Sequence, residues 1–190
     1  MGVRVVVVGI PGVGKSTVVD RLVDGYPGAR LVTFGTVMLQ EAKAKKWARD
    51  RDQLRRLPVG KQKRLQKVAA TAISRMKEKV VVVDTHLFIR TNEGFWPGLP
   101  FDVVRAMQPT HLVLVEASPE DVARRRSVDS SRKRDEVTAE GLAQELQLAR
   151  GFLTVASTLT GAPMLIVTNA EGKADEAASA ISSMLRGASS

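Results

Sequence analysis

Nine consecutive residues carry the plainest chemistry in this chain. Gly9-Ile10-Pro11-Gly12-Val13-Gly14-Lys15-Ser16-Thr17 fits the pattern G-x-x-x-x-G-K-[ST]. Glycines at that spacing let successive backbone N–H groups turn toward one point. The start of a following helix adds its own unpaired N–H groups and its dipole, so the loop forms a nest for a polyphosphate. Lys15 is then expected to reach the β- and γ-phosphates, and the Ser16 hydroxyl to ligate Mg²⁺. With this composition the pattern arises by chance in roughly one chain of this length per hundred. The apolar run before it and the helical pattern after it make coincidence rarer still, and a nucleoside-triphosphate site is the expectation.

A second feature belongs with the first. The run Val80-Val81-Val82-Val83-Asp84 puts a carboxylate at the C-terminal end of an apolar strand, which is where ligands sit in open α/β sheets. An acid there would hold Mg²⁺ through its water shell; the plainer alternative is an Asp that caps the next turn.

These groups need elements to hold them. Val5 to Val8, Val80 to Val83, Leu112 to Val115 and Met164 to Val167 are short, β-branched-rich runs without alternation, the pattern of strands covered on both faces. A weaker fifth run spans Leu31 to Phe34. Between them, Leu65, Val68, Ala69, Ala72, Ile73 and Met76 form one apolar helical stripe, and Leu142, Leu146, Ala149, Leu153 and Ala156 another. Ser118-Pro119-Glu120-Asp121 is a good helix start, with Ser as N-cap, Pro first and acids in the first turn. Thr138, three residues before Gly141, is a weaker one. Strands alternating with helices predict an α/β fold, a parallel sheet with helices on both faces.

Composition bounds the rest. A chain of 190 residues is long enough for one domain that buries ~70% of its unfolded surface. No cysteine is present, which excludes disulfides, cysteine-ligated zinc and thiol catalysis. No apolar stretch approaches the ~20 residues a bilayer requires, and the N-terminal run leads into a turn motif. A cytoplasmic location is expected, with one domain over 1–190 and a frayed tail at 187–190. The net charge of +9 is uneven: residues 40 to 79 hold fourteen Lys and Arg against four Asp and Glu, so the other residues hold fifteen against sixteen. Such a field suits nucleic acid, an anionic membrane or small phosphorylated ligands, or is simply a solvated helix face. With 4% aromatics there are few rings on which single-stranded nucleic acid could stack.

At the level of longer motifs, GIPGVGKST, FGTVMLQEA, RDQLRRLP, DTHLFIRTNEGFWPGLP, RRRSVDSSRKRDE and LTGA follow one another in this chain in an order that resembles archaeal-type adenylate kinases, from Met1 to about Asn169. The resemblance implies a doubly wound five-stranded parallel sheet of the P-loop nucleoside monophosphate kinase type. It implies Mg²⁺-dependent transfer of the γ-phosphoryl of ATP to AMP, giving two ADP, and a homotrimer. Arg55 resembles the arginine that grips the AMP phosphate, and Thr36 the position lining the AMP base and ribose, within an acceptor region at 36–79. Asp84, Thr85 and His86 open the acceptor-side segment, with Arg90 a second phosphate ligand. Arg124, Arg132, Arg134 and Arg150 resemble the arginines that close over the transferring phosphoryl, and 127–137 would be a short lid.

Residue chemistry runs alongside. AMP's phosphate is already an anionic nucleophile, so no general base is required, and catalysis reduces to alignment and charge neutralisation. Arg150 stands at the edge of an apolar stripe, where a guanidinium is costly to bury without an anion; a phosphate or a neighbouring acid would serve. Of three consecutive arginines only one or two can face a site, and Arg124 is expected inward with Arg125 in solvent. The chain departs from the family pattern at Ala149, where Asn is expected, and at Gln144-Glu145-Leu146, where an acidic-His-Gln stretch is usual. Backbone around Asn169 is the candidate for the ATP adenine. His111 is expected to be structural, His86 stays open, and Trp96 is a loop anchor or a subunit contact. Two rivals accompany the adenylate kinase reading: a kinase of another nucleoside monophosphate, and a P-loop ATPase binding RNA through residues 40–79.

Overall fold

A computed structural model of the chain describes residues 2–91, 93–128 and 138–187, with the description of Arg90 and Thr91 confined to their backbone. In chain order the elements are β1 (Val3–Val8), α1 (Lys15–Asp24), β2 (Ala29–Thr33), α2 (Phe34–Ala44), α3 (Arg51–Arg55), α4 (Val59–Ser74), β3 (Val80–Asp84), β4 (Phe88–Thr91), β5 (Gly94–Pro97), α5 (Phe101–Met107), β6 (His111–Glu116), α6 (Pro119–Val128), α7 (Ala139–Thr160), β7 (Met164–Thr168) and α8 (Ala174–Gly187). Five strands form one sheet in the order β2-β3-β1-β6-β7, every neighbouring pair parallel. The chain winds from β1 to one side through β2 and β3, then to the other through β6 and β7. A crevice at the C-terminal edge beside β1 is the geometric consequence.

The valine runs behave as their composition demands. Val5 to Val8, Val80 to Val83 and Leu112 to Val115 are buried throughout, because β1, β3 and β6 have strands on both sides and helices across their faces. α1 packs on α8, while α4, α5 and α7 pack in succession. β7 departs from the expectation of burial on both faces: Met164 and Ile166 are exposed, since β7 is an edge strand. At the opposite edge β2 stops at Thr33, and Phe34, which the apolar run suggests as strand, is the first residue of α2. Met76, expected at the end of the α4 stripe, lies two residues beyond the helix, partly buried against the core. The sequence reading contained no hairpin, yet β4 and β5 pair antiparallel, Ile89 opposite Trp96 and Arg90 opposite Phe95. Phe88 makes an edge-on contact with Phe95 there, ring centroids 5.0 Å apart.

Both helix starts seen in the sequence form. The Ser118 hydroxyl accepts from the Asp121 N–H at 3.1 Å, and the Thr138 hydroxyl from the Gly141 N–H at 3.1 Å. His111 is buried at the start of β6, its Nδ1 3.0 Å from the Thr110 hydroxyl, and burial holds its pKa below the usual histidine value. That fits a structural role. Among the described residues no helix is long and apolar enough to cross a membrane.

Candidate active site

The phosphate-binding motif leaves β1 and enters α1, so its loop lies at the C-terminal edge of the sheet. Its glycines are required by geometry. Gly12 has φ +93° and Gly14 φ +78°, the left-handed region that side-chain-bearing residues rarely enter. Space forbids a side chain as well: a Cβ at Gly14 would collide with the Asn169 amide, and one at Gly9 would lie 2.7 Å from the Val115 carbonyl oxygen. Ser16 and Thr17 open α1 at the surface, whereas Lys15 is only 8% exposed.

Lys15 and Asp84 meet. The Lys15 ammonium donates to a carboxylate oxygen of Asp84, because β1 and β3 are adjacent and in register, Val7 opposite Asp84. The Thr85 N–H donates to the Val7 carbonyl at 3.2 Å, so the segment after β3 follows β1 closely. Burial pulls the Lys15 ammonium down to about 8 even beside Asp84. Asp84 therefore faces Lys15. Thr85 is buried and His86 exposed; a Cβ at Gly98 would strike the His86 carbonyl, so the loop after β5 packs on this segment.

The arginines of α6 reverse the sequence expectation. Arg124 is 54% exposed and pairs outward with Asp121 at 2.6 Å and Glu171 at 2.7 Å. Arg125, expected in solvent, is 22% exposed and turned to the loop. Its guanidinium donates to the Val13 carbonyl and to the Asn169 carbonyl, each at 3.1 Å. Arg126 donates from Nε to the Pro11 carbonyl at 2.8 Å and pairs with Glu145 at 2.9 Å. The signal was in the helical phase. Val122 is the buried anchor of α6, and residues three and four beyond an anchor share its face, which selects Arg125 and Arg126 over Arg124.

Asn169 acts as a brace. Its side-chain amide donates to the Val13 carbonyl at 2.8 Å, its N–H to the Glu116 carbonyl at 2.7 Å, and its own carbonyl accepts from Arg125. It is buried, so the backbone foreseen as an adenine platform is engaged with the loop and with Arg125. Arg150 is 60% exposed and forms a two-pronged pair with Glu116, which is 6% exposed, at 2.7 and 2.6 Å. The buried ion is thus the carboxylate at the end of β6, which the sequence reading missed, and the argument from burial of the guanidinium does not hold.

On the other flank, Thr36 lies in the first turn of α2, where its hydroxyl accepts from Arg51 Nη2 at 3.0 Å. Arg55 is exposed and pairs with Asp52 at 3.1 Å. Arg51 is therefore a second arginine of α3, beside Thr36 and one turn from Arg55. Trp47 packs beside Leu54 and Leu65, with Lys61 and Arg64 5.2 and 5.8 Å from its ring. Arg132 and Arg134 lie outside the described residues.

Comparison with known proteins gives the family of the chain. A family model described as AAA domain matches residues 8–143. Adenylate kinase from Thermoplasma acidophilum is 42% identical over 92% of this chain and 94% of that protein. Adenylate kinase from Methanocaldococcus jannaschii is 38% identical over 96% of this chain and 97% of that protein. Among solved structures, shikimate kinase from Bacteroides thetaiotaomicron superposes with a TM-score of 0.60 at 12% identity, covering 97% of this chain and 98% of that one. At that identity the superposition speaks for the fold alone. Full-length likeness to enzymes of one activity, together with a phosphate loop whose lysine meets an acid from the neighbouring strand, places the chain in the adenylate kinase family of phosphotransferases.

Proposed function

We propose that this chain transfers the γ-phosphoryl group of ATP to the phosphate of AMP, reversibly, with release of two ADP. The observation that carries the reading is the Lys15–Asp84 contact beneath the loop, at the C-terminal ends of two adjacent parallel strands. The oxygen bridging the β- and γ-phosphorus atoms keeps the bonding electrons and leaves with ADP. An AMP phosphate oxygen supplies the new bond, and no proton need be removed from it. What the protein must provide is alignment and positive charge around the moving group.

The nest from Gly9 to Thr17 takes the donor's phosphates, with Lys15 on the β- and γ-groups. Arg125, fixed to the carbonyls of Val13 and Asn169, offers a planar guanidinium face against which the donor's adenine can stack. Thr36, Arg55, Thr85, His86 and Arg90 take the acceptor, with Arg51 beside Thr36. The exposed Arg55–Asp52 pair is worth little by itself, so a phosphate readily replaces it. Arg150, oriented by Glu116, and Arg132 and Arg134 from 127–137, neutralise charge on the transferring group, and closure of that lid excludes water as a competing acceptor. Arg125 takes the place foreseen for Arg124 beside the donor, because it is Arg125 that donates to the carbonyls of Val13 and Asn169 while Arg124 pairs with Asp121 and Glu171.

Ser16, through its hydroxyl, and Asp84, through water, would hold a Mg²⁺ ion that arrives with the nucleotide. Among the described residues no three acidic or histidine side chains gather into a resident metal site. When bound, the ion neutralises phosphate charge. The assembly in this reading is a homo-oligomer, a trimer by the family resemblance; sedimentation as a single 20.6 kDa species would contradict that. The activity is tested by coupled measurement of ADP formed from ATP with AMP, CMP, UMP or GMP. ADP production dependent on AMP is expected. ATP hydrolysis indifferent to every monophosphate would defeat the proposal.

A further inference from the structure

One charged pair beside the loop has no part in the chemistry above. Arg126, in the last turn of α6, and Glu145, in the second turn of α7, form an ion pair whose side chains are 11% and 9% exposed. The same guanidinium donates from Nε to the Pro11 carbonyl. Its stem lies against the loop, since a Cβ at Gly12 would come within 3.0 Å of Arg126 Cγ and 3.1 Å of Val122 Cγ1. One side chain thus ties the loop to both helices that flank 127–137.

The hydrogen bond has a directional consequence. In a planar trans peptide the C=O and the following N–H point opposite ways. The peptide that offers the Pro11 carbonyl to Arg126 is the one that carries the Gly12 N–H. Holding the carbonyl outward therefore holds the Gly12 N–H in the opposite sense, and glycine at φ +93° cannot rely on its own side chain to keep that setting. Glu145 supplies the counter-charge that makes a nearly buried guanidinium tolerable at this spot.

We propose that Arg126 and Glu145 are positioning residues for the donor nucleotide: Glu145 holds the Arg126 guanidinium on the Pro11 carbonyl, and this presets the Gly12 N–H for the polyphosphate. The inference rests on the reading of the loop as the ATP site. Steady-state kinetics of Glu145→Gln, Arg126→Met and the double variant test it. Each single change is expected to raise KM for ATP by about tenfold, with KM for AMP within about twofold of the parent. In KM for ATP the double variant is expected to be no worse than the more affected single one, because both changes reach the loop through the Arg126–Pro11 contact. The gentler Glu145→Asp and Arg126→Lys variants, read by the same split, stand in where a variant does not fold. An unchanged KM for ATP, parallel rises in both KM values, or additive effects in the double variant would overturn the proposal. Lys15→Ala in the same series separates the two ideas: if it leaves ATP turnover intact, the assignment of the loop fails and not merely the role of the pair.

Discussion

Lys15 is the residue on which the phosphate site turns, and its surroundings make its charge conditional. With burial pulling the ammonium down to about 8, its charged fraction falls as pH rises through that value. Because kcat/KM reports free-enzyme ionisations, kcat/KM for ATP is expected to decline on the alkaline side with a midpoint near 8, while kcat at saturating ATP is flatter. A profile level to about pH 9.5 would contradict this. Lys15→Ala is expected to reduce turnover by roughly 10²–10⁴-fold with the circular dichroism spectrum preserved. The neighbouring arginines give a sharper contrast. Arg125→Ala, which removes a half-buried guanidinium fixed to the loop, is expected to raise KM for ATP by about tenfold. Arg124→Ala removes only exposed pairs with Asp121 and Glu171 and is expected to change it by less than about twofold. Initial rates over ATP concentration decide between them.

The elements contribute by phase and register. β1 and β3 bring Lys15 to Asp84 because neighbouring parallel strands end together, a contact that neither run specifies alone. β6 ends in Glu116, and α7 presents Arg150 to it. Removing Arg150 leaves a buried carboxylate without its partner, so Arg150→Ala is expected to cost roughly 1–3 kcal/mol in urea unfolding in addition to any loss of rate. Unaltered stability would mean that Glu116 finds its hydrogen bonds elsewhere. α3 is short, capped by Asp50 through the Gln53 N–H at 2.8 Å, and carries Arg51 and Arg55 one turn apart. Arg55→Ala is expected to raise KM for AMP by about tenfold and KM for ATP by less than about twofold; equal effects on both would remove Arg55 from the acceptor side.

Over the whole molecule, charge is divided between the two flanks of the sheet. The stretch with a net +10, residues 40–79, takes in the last five residues of α2 together with α3 and α4, on the flank proposed for the acceptor. Cations exposed there, among them Lys43, Lys61, Arg64 and Lys67, would raise the local concentration of a dianionic acceptor bound on this flank. Ionic strength weakens that field, whose reach at ~0.1 M is only ~10 Å. kcat/KM for AMP is therefore expected to fall several-fold as salt rises from about 10 to 300 mM, more steeply than kcat. Salt-independent kcat/KM would show that the field does not act on the acceptor.

The features that the chain could declare on its own were the local ones. A phosphate nest depends on backbone angles that only glycine adopts freely, so Gly9 to Thr17 were readable from identity and spacing; so were the Ser118 cap and the valine runs of the buried strands. The acid at Asp84 was legible as a residue at a strand end; its meeting with Lys15 was not. Which arginine of three faces the loop depended on the helical phase set by Val122 against the core. Arg150's partner depended on the approach of α7 to β6, separated by thirty-four residues. The exposed face of β7 followed from its place at the sheet edge, and the β4–β5 hairpin from pairing across a turn. Short-range chemistry is written in residue types. Long-range contacts are decided by how elements stack to bury their apolar faces, and the tertiary structure alone supplied those.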